Sequence, residues 1–454
     1  MKDQNITINI EELKKLLKDD KSLSVYINSI TKSADLKEFF EKIKLEEWPR
    51  LLNLITTPEK RAEVVSQFED PLLEKLKNHL EPKDIANIAK EMKSDDATDL
   101  IGTLSYLEQI ETLKRLPLEE RKKVQELLLY PEDSAGGIMQ LEKAQVLESA
   151  IVSDAITKVR ELVENDIEVL MVWVVNKQNK LIGHIPLVDL LLNKSTTSIK
   201  KIMNFDLVTV KPFIDQEEVA QIFKKYNLIT LPVVDDMHHL LGRIVIDDVV
   251  DVLTEEAEED ALHMGGTSTE ELAYQEDVIQ TVSVRLPWIS VAFLSSLISA
   301  FIIHIFESIF QRAPYLFSII PLISAMGGSI GLQSATILMR GLTSGKINYQ
   351  KLSHMLFKEA RVGLLIGLLI GPCAAIIATF VLQSENYLFG FVVFLSMIIA
   401  MFTASTIGVI APSILNKLGV DPAIASGPFL QTTLDITSIL IFLCIAGIFL
   451  TQLS

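Results

Sequence analysis

The chain contains only two cysteines in 454 residues, Cys373 and Cys444, and both lie in strongly apolar stretches. Such scarcity excludes a disulfide framework and a cysteine-based zinc site. Before residue 284 no apolar run is long enough to cross a membrane, and no apolar segment follows Met1 that could act as a secretory signal. We therefore expect the long N-terminal part to remain in the cytoplasm.

Basic residues are also scarce relative to acidic ones. The 42 Lys and Arg face 59 Asp and Glu, which gives a formal net charge of −17. From Val284 onward basic residues outnumber acidic ones, so the preceding part carries the whole excess of negative charge. A part this acidic is a poor candidate for binding nucleic acid or anionic lipid and a good one for binding cations.

Signs of catalysis are missing as well. The chain has no GxxxxGK[ST] phosphate loop, which argues against an ATP-driven pump of that class. No nucleophile–base pair or catalytic metal cluster emerges from the sequence, so we do not expect an enzyme.

Five apolar stretches follow residue 284, each near or above the roughly 20 residues that a helix needs to cross the hydrocarbon. The predicted spans are Leu286–Phe306, Pro314–Leu338, Val362–Leu382, Leu388–Ile410 and Ala425–Leu450. The loop between the second and third spans is rich in Lys and Arg, whereas the loop after the third contains the acidic Glu385. Because positive loops stay inside, we predict a multi-pass protein with a cytoplasmic N-terminus and an external C-terminus.

Asp435 is a lone carboxylate in the fifth predicted span. An ionised group at that depth costs several kcal/mol, so such groups face a bundle interior or a wet pore and handle a cation or a proton. The alternative is an Asp near the helix end that reaches the interface. We expect Pro428 to kink or open the helix nearby and to free carbonyl oxygens such as that of Ala425 or Phe429.

The second span carries glycines and small polar side chains between Gly327 and Thr336. We interpret them as loosening the helix so that its carbonyls face a pathway, although close helix packing explains small residues equally well. The glycines of the third span, Gly363, Gly367 and Gly371, are interpreted as packing only. A carboxylate among hydroxyls, an amide and carbonyls suits hydrated Mg²⁺, which loses water reluctantly.

The N-terminal part changes its periodicity near Ala135. Up to about Tyr130, apolar residues at three-to-four spacing predict short helices in a curved array. Beyond that point short strand-like runs repeat, because aligning Val174 with Val233 also aligns Gly183 with Gly242, an offset of 59 residues. An internal repeat of this size buries a face against its twin. It resembles a tandem pair of CBS domains, which pair with each other and bind adenine nucleotides or metal ions.

An acidic run lies between the repeats and the first span. On a helix, five of its carboxylates share roughly one face, and like charges at that spacing repel. They are Asp248, Asp251, Glu255, Glu258 and Glu259. A divalent cation would relieve this repulsion, which predicts a sensor; a solvated acidic helix without an ion is the alternative.

Several motifs in order resemble the MgtE family of bacterial magnesium channels and transporters over nearly the full length. The matching segments are 129–139, the paired repeats, the acidic run, 306–308, Gly327-Gly328, 333–336, Arg340-Gly341, 418–423, and Gly427-Pro428 leading to Asp435. The chain differs from the family's usual pattern at Ser329, where Asn is customary, and at Asn227, where some relatives have a sensor Asp.

The resemblance implies a multidomain membrane protein. It would comprise an N-terminal all-α superhelical domain, 1–134, a tandem α/β CBS pair, 135–253, an acidic connecting (plug) helix, 254–283, and a five-helix transmembrane pore domain, 284–454. A homodimer in the lipid bilayer of the bacterial inner (plasma) membrane is implied, with a Mg²⁺ pore at its interface and Asp435 as the central carboxylate.

The resemblance also implies regulation by cytosolic Mg²⁺, which would bridge the acidic domains and close the pore. The implied regulatory ligands are Asp95, Asp99, Asp215, Glu217, Asp248, Asp251, Glu255, Glu258 and Glu259, with Asp421 at the cytoplasmic mouth. ATP at the CBS pair, through Asp189, is a further expectation. Two alternatives remain: a transporter of Mn²⁺ or Co²⁺ or an ion-coupled exchanger, and a receptor that senses Mg²⁺ while nothing permeates.

Overall fold

The structure, a computed structural model, describes residues 17, 19–68, 70–165, 167–268, 278–343, 352–381, 387–418 and 427–449. The chain divides into two compact units, Met1–Thr254 and Glu255–Ser454. We refer to them, by their predicted locations, as the cytosolic unit and the membrane unit.

The cytosolic unit opens with a series of short helices. Their bounds are α1 Asp20–Ser29, α2 Ser33–Glu41, α3 Trp48–Leu54, α4 Pro58–Ser66, α5 Asp70–Lys77, α6 Pro82–Ala89, α7 Ser94–Gly102, α8 Tyr106–Arg115 and α9 Leu118–Leu127, with a 3₁₀ turn at Leu45–Glu47. Pro58 and Pro82 occupy the first position of their helices, where the missing N–H costs nothing.

These helices pack in a staggered order, because α2 contacts α4, α4 contacts α6, and α6 contacts α8. An aromatic group anchors the array: the rings of Trp48 and Phe68 stack at 4.7 Å, and the Trp48 indole N–H donates to the carbonyl of Phe40 at 3.1 Å. The predicted series of short helices is confirmed; its predicted curvature stays a prediction.

The two repeats follow as small sheets with flanking helices. The elements are β1 Gln145–Leu147, α10 Val152–Val163, β2 Met171–Val175, β3 Leu181–Pro186, α11 Leu187–Leu192, α12 Ile199–Ile202, α13 Gln216–Tyr226, β4 Thr230–Val234 and β5 Leu240–Val245. Strand β2 pairs antiparallel with β3 and strand β4 with β5. In one hairpin Val174 lies opposite Gly183, and in the other Val233 lies opposite Gly242. The 59-residue offset therefore relates two copies of one structure.

The copies exchange their leading segments. Gln140 precedes the first copy but pairs with Arg243 of β5, while Asn204 precedes the second copy and pairs with His184 of β3. The two glycines permit this close approach, because an added Cβ at Gly242 would lie 2.7 Å from the Gln140 carbonyl oxygen. This exchange carries Gln140 to the end of β5, where the acidic helix begins.

Helix α14, Ile246–Gly265, continues directly from β5. It differs from the predicted connecting helix, 254–283, because it starts eight residues earlier and ends at Gly265. Residues 278–283 belong instead to the first membrane helix. Since the apolar residues of the first turns, such as Val249 and Val252, are buried against the second repeat, the helix is anchored there.

Five helices of the described membrane unit are long and apolar enough to cross a membrane. They are α15 Val278–Ile305, α17 Ile320–Thr343, α18 Leu352–Val381, α19 Tyr387–Lys417 and α20 Pro428–Ile448, with a short α16 at Glu307–Arg312 and a 3₁₀ turn at Pro314–Ile319. The predicted spans are confirmed in number and place, although α15, α17, α18 and α19 each extend beyond a predicted end. The fold class is confirmed as a multidomain membrane protein.

Glycines set the distances between these helices. An added Cβ at Gly367 would lie 2.8 Å from the Ile398 Cα, and one at Gly371 would lie 2.9 Å from the Phe394 ring. These glycines of α18 therefore pack against α19, as predicted. Small residues at such interfaces let two backbones approach closely.

Candidate cation sites

Asp435 lies in the middle of α20 and is half-buried. The amide of Gln431, one turn earlier on the same helix, lies 3.5 Å from its carboxylate oxygen. Ser324 of α17 provides a second polar neighbour. The carboxylate is thus surrounded by neutral hydrogen-bonding groups, and a cation would find both charge and polar ligands there.

The helix opposite is shaped to admit this side chain. At Gly328 of α17 an added Cβ would lie 3.1 Å from the Asp435 carboxylate oxygen and would collide with the Gln431 amide. At Gly331 it would lie 2.9 Å from the carbonyl oxygen of Ala404 on α19. The glycines therefore hold α17 close to α20 and α19.

Helix α17 is continuous from Ile320 to Thr343, so its small residues do not break it. Its polar groups are also satisfied locally: Ser329 donates to the Ala325 carbonyl at 2.8 Å, and Ser334 bonds Glu359 of α18 at 3.0 Å. The interpretation as a loosened helix with exposed carbonyls is wrong, and close packing explains these residues.

Pro428 also behaves differently from the prediction. It is the first residue of α20 and so does not kink the helix. The carbonyl of Phe429 accepts hydrogen bonds from Thr432 and Thr433 at 3.0 and 2.9 Å, so it is not freed as a ligand. Ala425, the other predicted carbonyl, lies outside the described residues.

A second candidate site lies in the cytosolic unit, where the start of α7 meets the start of α14. Asp95 and Asp96 come from α7, and Asp247 and Asp248 come from α14. We call these four residues the acidic cluster. Asp95 and Asp248 were predicted as ligands, and the structure brings them close enough that the Asp95 charge acts on Asp248. Asp96 and Asp247 were not predicted, although each is the sequence neighbour of a predicted ligand.

Hydrogen bonds hold the two helices in place around the cluster. Gln140 donates to Asp248 at 3.1 Å and also bonds Asp95. The Ser94 hydroxyl donates to Glu142 at 2.6 Å and accepts from the backbone N–H of Leu141 at 2.9 Å. The segment exchanged between the repeats therefore joins the helical array to the acidic helix.

The electrostatics of the cluster disfavour its charged form. Burial raises the pKa of Asp95 to about 6, and burial together with the Asp95 charge raises the pKa of Asp96 to about 8. The pKa of Asp248 rises to about 8 through burial and through the charges of Asp95 and Asp247. A cation placed here would reverse these shifts.

Two observations bear on metal binding at the cluster. Asp95 is only 5% exposed, and among the described residues its Oδ1 atom has no hydrogen-bond partner. No three acidic, histidine or cysteine side chains of the described ranges are close enough to hold a bare ion together. Because Mg²⁺ keeps several waters and uses one or two carboxylates, this arrangement suits a hydrated ion.

Other predicted regulatory ligands lie elsewhere in the cytosolic unit. Asp99 and Asp251 each lie about one turn further along the helices that carry the cluster. Asp215 caps α13, where it accepts from the backbone N–H of Glu217 at 2.8 Å. Asn227 ends the same helix with φ 53°, a left-handed conformation that Asn tolerates well. The role of Asp215 seen here is therefore a helix cap.

The remaining acidic residues of α14 belong to the membrane unit. Glu255 and Glu258 are exposed, and Glu259 lies 3.8 Å from the buried His263. The end of this helix contacts the start of α20, because an added Cβ at Gly427 would lie 2.7 Å from the His263 carbonyl. The acidic helix therefore touches the helix that carries Asp435.

The last two predicted site residues are Asp189 and Asp421. Asp189 lies in the first turn of α11, directly after β3. Asp421 lies outside the described residues.

Comparison with known proteins finds matches in the N-terminal, middle and C-terminal parts of the chain. A family model described as the divalent cation transporter domain MgtE matches residues 320–445, the MgtE intracellular N domain matches residues 31–133, and a CBS domain matches residues 199–255. Magnesium transporter MgtE of Bacillus subtilis (strain 168) is 32% identical over 362 residues, 80% of each chain.

Two further proteins similar to this chain are also named MgtE. Magnesium transporter MgtE of Thermus thermophilus is 32% identical over 367 residues, which are 78% of this chain and 79% of that one. A crystal structure of the cytosolic domain of the Mg²⁺ channel MgtE in complex with ATP is 30% identical, with a TM-score of 0.49, covering 53% of this chain and 97% of that one.

Proposed function

Since the chain belongs to the MgtE family and is a magnesium transporter, we propose that it is a channel that admits Mg²⁺ past Asp435 and closes when cytosolic Mg²⁺ binds the acidic cluster and α14. Uptake needs no ATP, because two charges crossing 100 mV gain about 4.6 kcal/mol.

The observation that supports permeation at this point is the half-buried Asp435 carboxylate with its neutral polar neighbours. Gln431 and Ser324 offer oxygen atoms and donors suited to the water shell of the ion, while one carboxylate is too little charge to strip that shell. The ion would then pass hydrated, with Asp435 compensating its charge.

Mg²⁺ uptake into proteoliposomes tests this assignment. Asp435→Asn keeps the size and removes the charge, so flux should be lost, whereas Asp435→Glu should retain part of it. Elution of both variants as wild type in size-exclusion chromatography controls for folding. Flux that survives in Asp435→Asn would contradict the proposed pathway, and faster uptake of Mn²⁺ or Co²⁺ than of Mg²⁺, or dependence on a pH or Na⁺ gradient, would favour the alternative transporters.

The proposed regulation is supported by continuity of one helix. Helix α14 begins at the acidic cluster and ends against Gly427 at the start of α20. Mg²⁺ that neutralises the carboxylates along α14 would stabilise this helix, and the contact with α20 gives that change a route to Asp435. The ligands would be the predicted carboxylates together with Asp96 and Asp247.

We further propose a homodimer in the bacterial plasma membrane with a cytoplasmic N-terminus and an external C-terminus. The described part of α15 has no buried residue, so this apolar helix is left for lipid or for a second copy. Cross-linking in native membranes and reporters fused to each terminus test these two points; a monomer, or a C-terminal reporter active in the cytoplasm, would refute them.

ATP binding at the CBS pair through Asp189 remains a proposal from the sequence. Its test is equilibrium binding of ATP to wild type and to Asp189→Ala, and equal binding by both would refute the residue assignment.

A further inference from the structure

Lys93 is a cation placed among the carboxylates of the acidic cluster. It immediately precedes α7, and its ammonium lies 3.8 Å from Asp247 at the start of α14. The carboxylates of Asp248 and Asp95 also lie close enough to attract this ammonium. Lys93 thus links two elements that the regulatory ion is proposed to bridge.

The cluster has more carboxylates than cationic side chains. Glu142 is already paired with Lys123 at 3.0 Å and can be left aside. The four cluster carboxylates then face two cationic side chains, Lys93 and the buried Arg243. Arg243 alone leaves an excess of three negative charges when all four carboxylates are ionised, and Lys93 lowers this excess to two.

The side chains of Arg243 and Lys93 differ in whether they can move out of the acidic cluster. Arg243 is 4% exposed and is fixed by its backbone pairing with Gln140. The side chain of Lys93 is 47% exposed, and a lysine has a long flexible stem. It can therefore swing into solvent when a dication approaches Asp247 and Asp248.

We propose that Lys93 is an internal counter-ion that competes with Mg²⁺ for the acidic cluster and thereby sets the cytosolic Mg²⁺ concentration at which the channel closes. The inference rests on the proposed regulation of this channel. In the absence of Mg²⁺ the ammonium partly neutralises the carboxylates and keeps α7 and α14 together. Mg²⁺ must displace it, so the ion binds more weakly than the carboxylates alone would allow.

The experiment measures the internal Mg²⁺ concentration that halves the flux of the full-length protein in proteoliposomes. Removing the positive charge that competes for carboxylates such as Asp247, 3.8 Å away, should tighten Mg²⁺ binding about tenfold, even at high dielectric. Lys93→Gln should therefore close at about tenfold lower Mg²⁺, and Lys93→Arg should close near the wild-type concentration. Lys90→Gln is the matched control, because Lys90 precedes the cluster and pairs with Glu91 at 3.1 Å.

A second readout separates this inference from the gating model. Protection of α14 from protease, measured against MgCl₂ concentration, reports binding whether or not the pore closes. If Lys93→Gln needs as much Mg²⁺ as wild type for protection, or more, the role of Lys93 is refuted. If Mg²⁺ protects wild type but its flux never falls, the proposed gating is refuted. The comparison of protease protection between wild type and Lys93→Gln then still tests whether Lys93 competes with Mg²⁺.

Discussion

Without a divalent cation, Asp95→Asn should stabilise the cytosolic unit at pH 8 and leave its stability nearly unchanged at pH 4. Asp95 is 5% exposed, and burial raises its pKa from 3.8 to about 6. A raised carboxyl pKa means that the folded state holds the proton more tightly than the unfolded state. The proton on Asp95 therefore stabilises the folded state fully below about pH 4, and this contribution is lost as the pH rises through about 6.

The magnitude follows from the separation of the two pKa values. At about 1.4 kcal/mol for each pH unit between them, Asp95 alone removes about 3 kcal/mol of unfolding free energy from the wild type at pH 8. Asparagine has nearly the same shape and no charge, so it should recover up to about that amount. Mg²⁺ should make wild type more stable than Asp95→Asn. An ion at 100 times its dissociation constant adds about 2.7 kcal/mol to the unfolding free energy of the protein that binds it.

Urea unfolding of residues 1–268 measures this free energy, since this segment contains complete hydrophobic cores of its own. Trp48 reports on the helical array and Trp173 on the first repeat. Asp236→Asn is the control, because that side chain is 87% exposed. A variant that is less stable than wild type at pH 8 without Mg²⁺, or that gains as much from Mg²⁺ as wild type, would refute the idea of a strained carboxylate that awaits a cation.

Two further predictions concern the membrane unit. Neutralising the carboxylates of α14 together (Glu255→Gln, Glu258→Gln and Glu259→Gln) should leave uptake active at internal Mg²⁺ that stops wild type; normal closure would contradict the sensor assignment. Gly408→Ala should lower the melting temperature in detergent, because its Cβ would overlap the Gly331 backbone, whereas Gly447→Ala should not, because its nearest neighbour would be the Ile309 side chain at 3.5 Å. Equal melting temperatures would show that α17 and α19 can separate without cost.

The repeats were predicted from the sequence because each copy must bury the same face. The offset that aligns Val174 with Val233 reappears as the same pairing of each valine with a glycine. The exchange of leading segments could not be predicted. The sequence does repeat Ile138-Met139 as Ile202-Met203, but such a repeat fits pairing within a copy or between copies. Only the tertiary structure shows Gln140 against β5.

Two of the four residues of the acidic cluster, Asp95 and Asp248, were predicted from the sequence. Helical spacing predicted that Asp248 faces in a common direction with other carboxylates, and the family resemblance implied Asp95. Neither source identifies Lys93, Asp96 or Asp247, because their proximity depends on how the helical array docks on the repeats. Ser94, which bonds Glu142 and the Leu141 backbone, fixes that docking.

The membrane helices show why composition alone misassigned the glycines of the second span. A glycine removes a side chain, which either exposes a carbonyl or admits a neighbouring helix, and the sequence does not distinguish these outcomes. In the structure the space at Gly328 is filled by Gln431 and Asp435, while α17 keeps its backbone hydrogen bonds. The glycine thus shapes the candidate ion site by letting the Asp435 side chain lie against bare backbone. A larger residue at Gly328 would displace Gln431 and Asp435 before it disturbed α17, so we expect such a substitution to impair transport through its effect on α20.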